Sequence, residues 1–600
     1  MAGKPTPVFY LAVLAVVFGL IGFAVYQARD VLAPGGNAAG DGQQQAAGNN
    51  GASNQSSDSS SSSDTDIDLS DITGAESADT QGITTVSEYT FTPSERLPKV
   101  KGTAAYKKME DNTVKFALNV WAGWAPIIKA NEGFQAEKVW KTPGGKEFKL
   151  ELVLIDDPVA MREAYVNGDV HIGWATLDMM PLLMEGFVKR NGDPIDSRVM
   201  PRIFQQVDWS NGGDGIVARN GVKTITDLRG KKIVLAQNSP SEYFVTNMLV
   251  YGGVQPSEVE FVYTGDAFQA AAAFNADKSI DAVVTWAPDI YNLSDVKGNK
   301  MIVSTATANK LIADVWFARA DFANDHTDIC EGIVRGIFDA MTTLNTEDGK
   351  KAVSELMADG YGLPASEAYD MLADAHSTNW AENFQFFLNK NNAANFERVW
   401  NQAYYIYRRL GKITHSTVKF DKVMDFSIIE KLKSDDKYSS QVDEYTTQFM
   451  PTTTKEVRGA EEILTNTVVI HFFPNSADIN KVVIKQENGK DVEVPYDPKV
   501  DFVLEEIGKL AGQFGTARII IEGHTDSSMK GKAPVDLVKG LAKKRAEAVK
   551  QALTKKFDLS PNQFNTDGLG WDRPADSDDP LNQAKNRRVE VKIYPAEALN

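Results

Sequence analysis

The sequence predicts an α/β chain in modules: an N-terminal transmembrane helix, a disordered linker, a large α/β unit and, after a second linker, a small α/β unit. Three observations predict it. A 19-residue run without a charge stands near the start, a long Ser- and Asp-rich stretch follows, and from about residue 110 short apolar runs alternate with helical patterns. The chain has 600 residues, 42% of them hydrophobic and 24% charged, enough apolar material for several globular cores. The net charge of -18 excludes general nucleic-acid binding, which needs a basic surface. One cysteine, Cys330, excludes a disulfide scaffold, and six scattered histidines without HExxH spacing exclude a zinc hydrolase of that type. No cofactor and no metal are expected.

Residues 1–30 form the membrane anchor. The run VFYLAVLAVVFGLIGFAVY (8–26) is long enough, at 1.5 Å per residue, to nearly match a hydrocarbon core of about 30 Å. A secretory signal has a shorter apolar region of about 7–15 residues, so an uncleaved anchor is expected, with a cleaved signal as the alternative. Lys4 precedes the span, and residues 31–90 hold nine acids and no Lys or Arg. Positive flanks stay cytoplasmic, which puts a single-pass protein in the inner membrane with its bulk in the periplasm. Residues 31–95 cannot bury a core and read as a flexible leash.

Residues 96–432 form the large unit. Its expected strands are VKFALNVW (114–121), KLELVLI (149–155), VHIGWA (170–175), KIVLA (232–236), VEFVYT (259–264) and DAVVTW (281–286), in mostly parallel sheets. Such sheets bind ligands beyond the carboxyl ends of their strands. Trp121, Trp124, Trp209 and Trp286 fall at those ends, where they either stack on a ligand or pack between elements. Asp156, Asp208, Asp214 and Asp266 fall there too. They point to a ligand with positive charge or N–H donors; singly, each also reads as a turn or cap residue. QNSPS (237–241) follows a strand and opens a helix, so Asn238, Ser239 and Ser241 either face a ligand oxyanion or cap the helix. No nucleophile–base constellation stands out, so no catalytic residue and no enzyme activity are expected. His171 reads as a structural strand residue and Cys330 as a packing residue.

The order ALNVWAGWAPIIKANEGF, VLIDDP, AYVNGDVHIGWAT resembles the first lobe of a type 2 periplasmic substrate-binding protein. TDLRGKKIVLAQNSPSEYFVTNMLVYGG and FVYTGDAFQAAAAFNADKSIDAVVTWAPDI are similar to the nitrate/sulfonate/thiamine-precursor group of ABC-transporter binding proteins. The resemblance implies two lobes, one near 110–208 with a return from about 290 and one near 213–288. A small-molecule ligand would lie between them, near 121–124, 174–176 (with Thr176), 208–214, 237–243, 266–269 and 285–289, and an ABC permease is a family-implied partner.

Residues 433–460 are polar and aperiodic, a second linker, and 461–600 form the small unit. Strands are expected at VVIHFF (468–473), ARIIIEGHTD (517–526) and RRVEVKI (587–593), with helices over 500–514 and 541–553. KVVIKQENGKDVEVPY reads as an added hairpin around Asn488-Gly489. FFPNSA, IEGHTDSS, LAKKRAEAV, GLGWDRP and NRRVEV resemble the OmpA-like peptidoglycan-binding domain. That resemblance gives Asp526 the ammonium and Arg545 the carboxylate of a peptidoglycan stem, with Thr525 and Arg587 in support. The alternative has Asp526 capping its loop and Arg545 paired with an acid such as Glu522. Val538, where the family often has Asn, and a long loop after Asp526 depart from the pattern.

Two functions follow: a tethered solute receptor that also holds peptidoglycan, or a stator-like scaffold anchoring a membrane complex to the wall. Residues 8–28 lack the intramembrane Asp of proton-driven stators, which counts against ion coupling.

Overall fold

The computed structural model describes residues 89–575 and 586–595, apart from 95, 469, 471, 474 and 488. The expected anchor over 8–26 and nearly all of the first linker lie outside these residues. Among the described residues no helix is long and apolar enough to cross a membrane.

The large unit opens with β1 (Thr113–Leu118), β2 (Trp140–Lys141), β3 (Glu147–Leu154), β4 (Ile172–Thr176) and β5 (Pro201–Ser210). There follow β6 (Asp214–Arg219), β7 (Lys232–Ala236), β8 (Glu260–Thr264), β9 (Ala282–Trp286) and β10 (Asn299–Ser304), then β11 (Ala313–Arg319) and β12 (Ala375–Ser377). Two sheets result, ordered β12-β5-β11-β4-β1-β3-β2 and β10-β6-β9-β7-β8. Burial explains the strand sequences. Central β4 (IGWAT) is buried along its whole length and reads as an unbroken apolar run. In β3, Phe148, Leu150 and Leu152 turn inward between polar neighbours, the period-two pattern of a half-covered strand.

Two expectations are corrected here. The sheets are mixed rather than mostly parallel, because β11 runs antiparallel to β4 and β5, and β6 antiparallel to β9 and β10. The second lobe also runs to Ser304, so the return begins after β10 and not near 290. Both crossovers, β5 to β6 and β10 to β11, are stitched at buried Thr305. Its hydroxyl accepts from Gly212 N at 2.9 Å and Asp214 N at 3.1 Å, and its own N–H donates to Asp214 O at 2.9 Å. Helices Thr327–Leu344, Glu347–Tyr361, Trp380–Leu388 and Phe396–Arg409 complete the unit. Lys412, just beyond the last of these, forms a fully buried 2.6 Å ion pair with Glu242 of the helix Pro240–Tyr251.

The stretch 433–460 connects the units as a strap. Trp380 N donates to Gln441 Oε1 (2.9 Å) and Glu444 N to Glu382 Oε1 (3.0 Å). Tyr445 stacks on His376 at 3.9 Å and donates to Asn211 Oδ1 at 2.7 Å. This polar, aperiodic sequence forms only two one-turn helices, Asp436–Ser439 and Thr454–Val457, but its polar groups still find fixed partners.

The small unit holds β13 (Leu464–Val468), β14 (Val482–Glu487), β15 (Lys490–Pro495), β16 (Arg518–His524), β17 (Phe564–Gly570) and β18 (Val589–Tyr594). Its main sheet is ordered β13-β18-β16-β17 under helices Val500–Gln513 and Val535–Lys556, and β14–β15 is the expected hairpin. The strand expected at 468–473 ends instead at Val468, because β13 is an edge strand that buries Leu464 against β18 and tolerates the polar residues between. Gly523 lets the long helix approach: a Cβ there would meet the Ala542 backbone.

The small unit rests on the crossover side of the large one. Gln513 accepts from Tyr251 Oη (2.6 Å) and, through its carbonyl, from Lys310 N (3.1 Å). Thr516 Oγ1 donates to Ala306 O at 2.7 Å, and Arg398 pairs with Glu505 at 2.5 Å.

Candidate functional site: an acidic interlobe cleft and a buried arginine cluster

A cavity of about 350 Å³ lies where the carboxyl ends of β1, β3, β4, β7, β8 and β9 meet the starts of β6 and β11. It is the location that open α/β sheets favour for ligands. Of the residues singled out above, Trp121, Asp156, Thr176, Asp214, Ser239, Asp266 and Trp286 line it.

The others are placed elsewhere. Trp124 is fully buried, donates to Asn119 Oδ1 at 2.7 Å and packs edge-on against Phe116. Trp209 packs edge-on against Phe386. Asp208 lies fully buried behind Trp121, whose indole N–H it accepts at 3.2 Å. Asn238 turns away and accepts from Lys412 Nζ at 2.8 Å, while Ser241 is fully buried. Ser239 occupies the N-cap position, yet its hydroxyl donates to Ala236 O at 2.8 Å instead of capping. In each case local neighbours outcompete the cleft, which strand-end position alone does not show. His171 is structural, accepting from Lys115 N at 2.9 Å, and Cys330 is buried.

Trp174 and Phe268, within the expected segments 174–176 and 266–269, also line the cavity, whereas sequence reasoning missed Asp314. Asp314 was hidden because it stands on the return strand β11. Register supplies the connection: Asp314 pairs with Asp208 across β11 and β5. Two glycines hold the wall together. Gly123 packs on the Asp208 carboxylate where a Cβ would sit, and the Trp121 ring occupies the space beside Gly213.

The wall carries Asp156, Asp157, Asp214, Asp266 and Asp314, and Asp178 and Asp208 are buried behind it. Burial raises Asp178, Asp208 and Asp214 to about 7. Burial, reinforced by Asp208, Asp214 and Asp178, pushes Asp314 well above the ordinary carboxylate range. Burial also raises Asp156. Among the described residues no lysine, arginine or histidine lines the cavity.

The small unit gathers a different set. Asp526 is fully buried, accepts from Ser528 N at 2.8 Å and lies 3.4 Å from Arg587 Nε. Arg545, buried on the long helix, donates through Nε to Ser476 O at 2.9 Å and stacks over Phe472 at 5.0 Å. Thr525 N donates to Gly570 O at 2.9 Å. Asp526 does cap its loop. Glu522, the alternative partner for Arg545, is held by Arg458 and lies 3.8 Å from Arg573. Val538 is buried against Met529 and Leu541. Glu522, His524 and Glu590 could face one ion, but Arg458 and Arg588 already occupy the two carboxylates.

A family model described as NMT1/THI5 like matches residues 202–344, and one described as OmpA family matches 493–588. Over 227 residues the chain is 26% identical to the taurine-binding periplasmic protein of Escherichia coli (strain K12), covering 37% of this chain and 66% of that protein. Over 107 residues it is 34% identical to outer membrane protein Omp38 of Acinetobacter baumannii, covering 18% of this chain and 28% of that protein. The chain thus spans just under two thirds of one curated relative and less than a third of the other. Among solved structures, the periplasmic aliphatic sulphonate binding protein SsuA from Escherichia coli aligns with a TM-score of 0.39 at 15% identity, over 52% of this chain and 96% of that one. The periplasmic nitrate-binding protein NrtA from Synechocystis PCC 6803 aligns with a TM-score of 0.41 at 13% identity, over 56% and 91%. In one polypeptide, the chain joins an NMT1/THI5-like region to a C-terminal region of the OmpA family.

Proposed function

We propose that the chain is a solute receptor of the cell envelope, tethered in the inner membrane by residues 8–26, binding a small molecule in the periplasm and holding peptidoglycan through its C-terminal domain. The cavity between the lobes carries this reading. Its walls come from both sheets, and Thr305 joins the two crossovers on which the lobes would move. Delivery to an ABC permease is the corresponding role for the captured solute. Asp526, Arg545 and Arg587 supply the acceptor and donor forks that a zwitterionic stem side chain requires. The scaffold reading draws on the small unit's contacts along the crossover segment 306–310, which would link wall attachment to lobe position.

The test takes the full chain purified in mild detergent. Native mass spectrometry should find a small molecule bound, and the protein should co-sediment with purified peptidoglycan. Sedimentation with no ligand from any periplasmic extract would leave the scaffold role in its place. Membrane fractionation with N-terminal sequencing tests the tether: a mature chain starting near residue 29 or 34 would show a signal peptide instead.

A further inference from the structure

We propose, building on the solute-receptor reading, that the cleft between the lobes takes an organic cation with N–H donors, an alkylammonium or an amidinium. The first support is the wall itself. Asp156, Asp214 and Asp314 line it with Trp121, Trp174 and Trp286, and among the described residues no basic side chain does. A desolvated anion would meet carboxylates and neutral amide or hydroxyl groups but no cationic side chain there, whereas a cation would meet acceptors and indole faces together.

The second support comes from the helix ends. Three helices begin at the cavity, and such ends commonly hold anions through unpaired N–H groups. At two of them the chain's own acids serve these groups. Asp157 accepts from Val159 N at 2.7 Å and Ala160 N at 3.2 Å, and Asp266 accepts from Gln269 N at 2.8 Å. The third end, at Pro240, has no side-chain cap; Glu242 there takes Asn238 N at 2.9 Å and is paired with Lys412. Two of the three positive ends that would attract an oxyanion are thereby offset.

The third support is the buried acid cluster behind the wall. Thr176 lines the cavity, is 3% exposed and bears on Asp178, while Asp208, next to Trp121, bears on Asp314. Buried carboxylates this close together stay neutral by keeping protons unless a counter-charge arrives. An N–H-bearing cation supplies that charge and donors as well. A bare metal ion is a poor fit, since it wants several oxygens at about 2.0–2.6 Å and no indole, and the cavity holds about 350 Å³. The net charge of -18 also raises the local concentration of cations.

The experiment measures thermal unfolding and calorimetric binding on the full chain in detergent, with agmatine, putrescine, choline, methanesulfonate and nitrate. Agmatine or putrescine should raise the unfolding temperature saturably, choline less, and the two anions not at all. Asp314→Asn and Asp214→Asn, checked for folding by circular dichroism, should weaken amine binding at least tenfold, and Trp286→Ala should weaken it too. Saturable stabilisation by methanesulfonate or nitrate, or amine binding unchanged in both Asn variants, overturns the cation assignment and leaves the receptor reading standing. A co-purified anionic or neutral ligand with no amine binding overturns it equally. No bound small molecule of any kind would sink the receptor reading itself.

Discussion

The cleft and the C-terminal cluster both bury several carboxylates, but they settle the charge in opposite ways. Asp214 and Asp314 in the cleft wall, with Asp178 and Asp208 buried behind it, lie near one another without a basic partner, and burial lifts each of them. In the small unit Arg587 meets Asp526, Arg458 meets Glu522 and Arg588 meets Glu590. Burial pushes Glu590 up, but Arg588, His524 and Lys592 together pull it below its ordinary value. On the proposed reading the first arrangement would be completed by a ligand that brings positive charge, and the second would offer a mixed pair of charges to a zwitterion.

The largest expected effect separates the two sites outright. Asp526→Ala or Arg545→Ala should each cost about 2–5 kcal/mol of peptidoglycan binding, enough to abolish co-sedimentation, because each leaves a charge without its counterpart. Cleft binding measured on the same variants should be unchanged. If both variants still sediment like wild type, the pair is misassigned, and the loop near Val538 becomes the first alternative.

Next in size, a saturating ligand should stabilise the large unit by about 2.7 kcal/mol at 100 times its dissociation constant. Gly123→Ala should erase that gain, since its Cβ would fall on the Asp208 carboxylate and displace Trp121. Normal ligand stabilisation in this variant would show that the Trp121 wall does not hold the ligand.

The pH dependence of the two regions should have opposite sign. Asp178, Asp208 and Asp214 sit near 7 when folded, above their ordinary 3.8. The native state therefore holds more protons than the unfolded chain between those values. Its stability from these groups is full below the unfolded value and is lost as pH rises through about 7, at about 1.4 kcal/mol per pKa unit. Urea unfolding of wild type against Asp214→Asn from pH 5 to 8 isolates the effect, and the variant should lose less. Amine affinity should rise over the same range as the carboxylates ionise. Glu590 acts the other way: its contribution is present above its unfolded value and lost as pH falls through the lower folded one. A difference between wild type and Asp214→Asn that does not change with pH would contradict the buried-acid account.

The smallest effect tests whether the two domains act together. Tyr251→Phe removes the 2.6 Å hydrogen bond to Gln513 and should cost about 1 kcal/mol. Calorimetry should then show the unfolding transitions of the two units moving apart. An unchanged trace would mean that this contact does not couple them.

The motifs placed most elements correctly because their periodicity is local. KIVLA became β7 over the very residues expected, and Val589, Val591 and Ile593 alternate inward along β18. Asp214, Asp266, Trp121 and Trp286 were legible as cleft residues because strand ends converge in this kind of sheet. Trp124 and Trp209 satisfied the same rule and went into packing, since an indole buries wherever an aromatic neighbour such as Phe116 or Phe386 receives it.

By itself the sequence determined the order of the two α/β units, most of their strands and helices, the acidity of the cleft loops and the Asp526–Arg545 signature, all set by short-range pattern and residue type. Only the tertiary structure decided that Asp314 returns from a distant strand to face Asp208, that Lys412 neutralises Glu242, and that 433–460 is strapped down. Those outcomes depend on partners 61 to 234 residues apart, with 170 residues between Lys412 and Glu242, and no local pattern encodes which distant group will satisfy a buried charge.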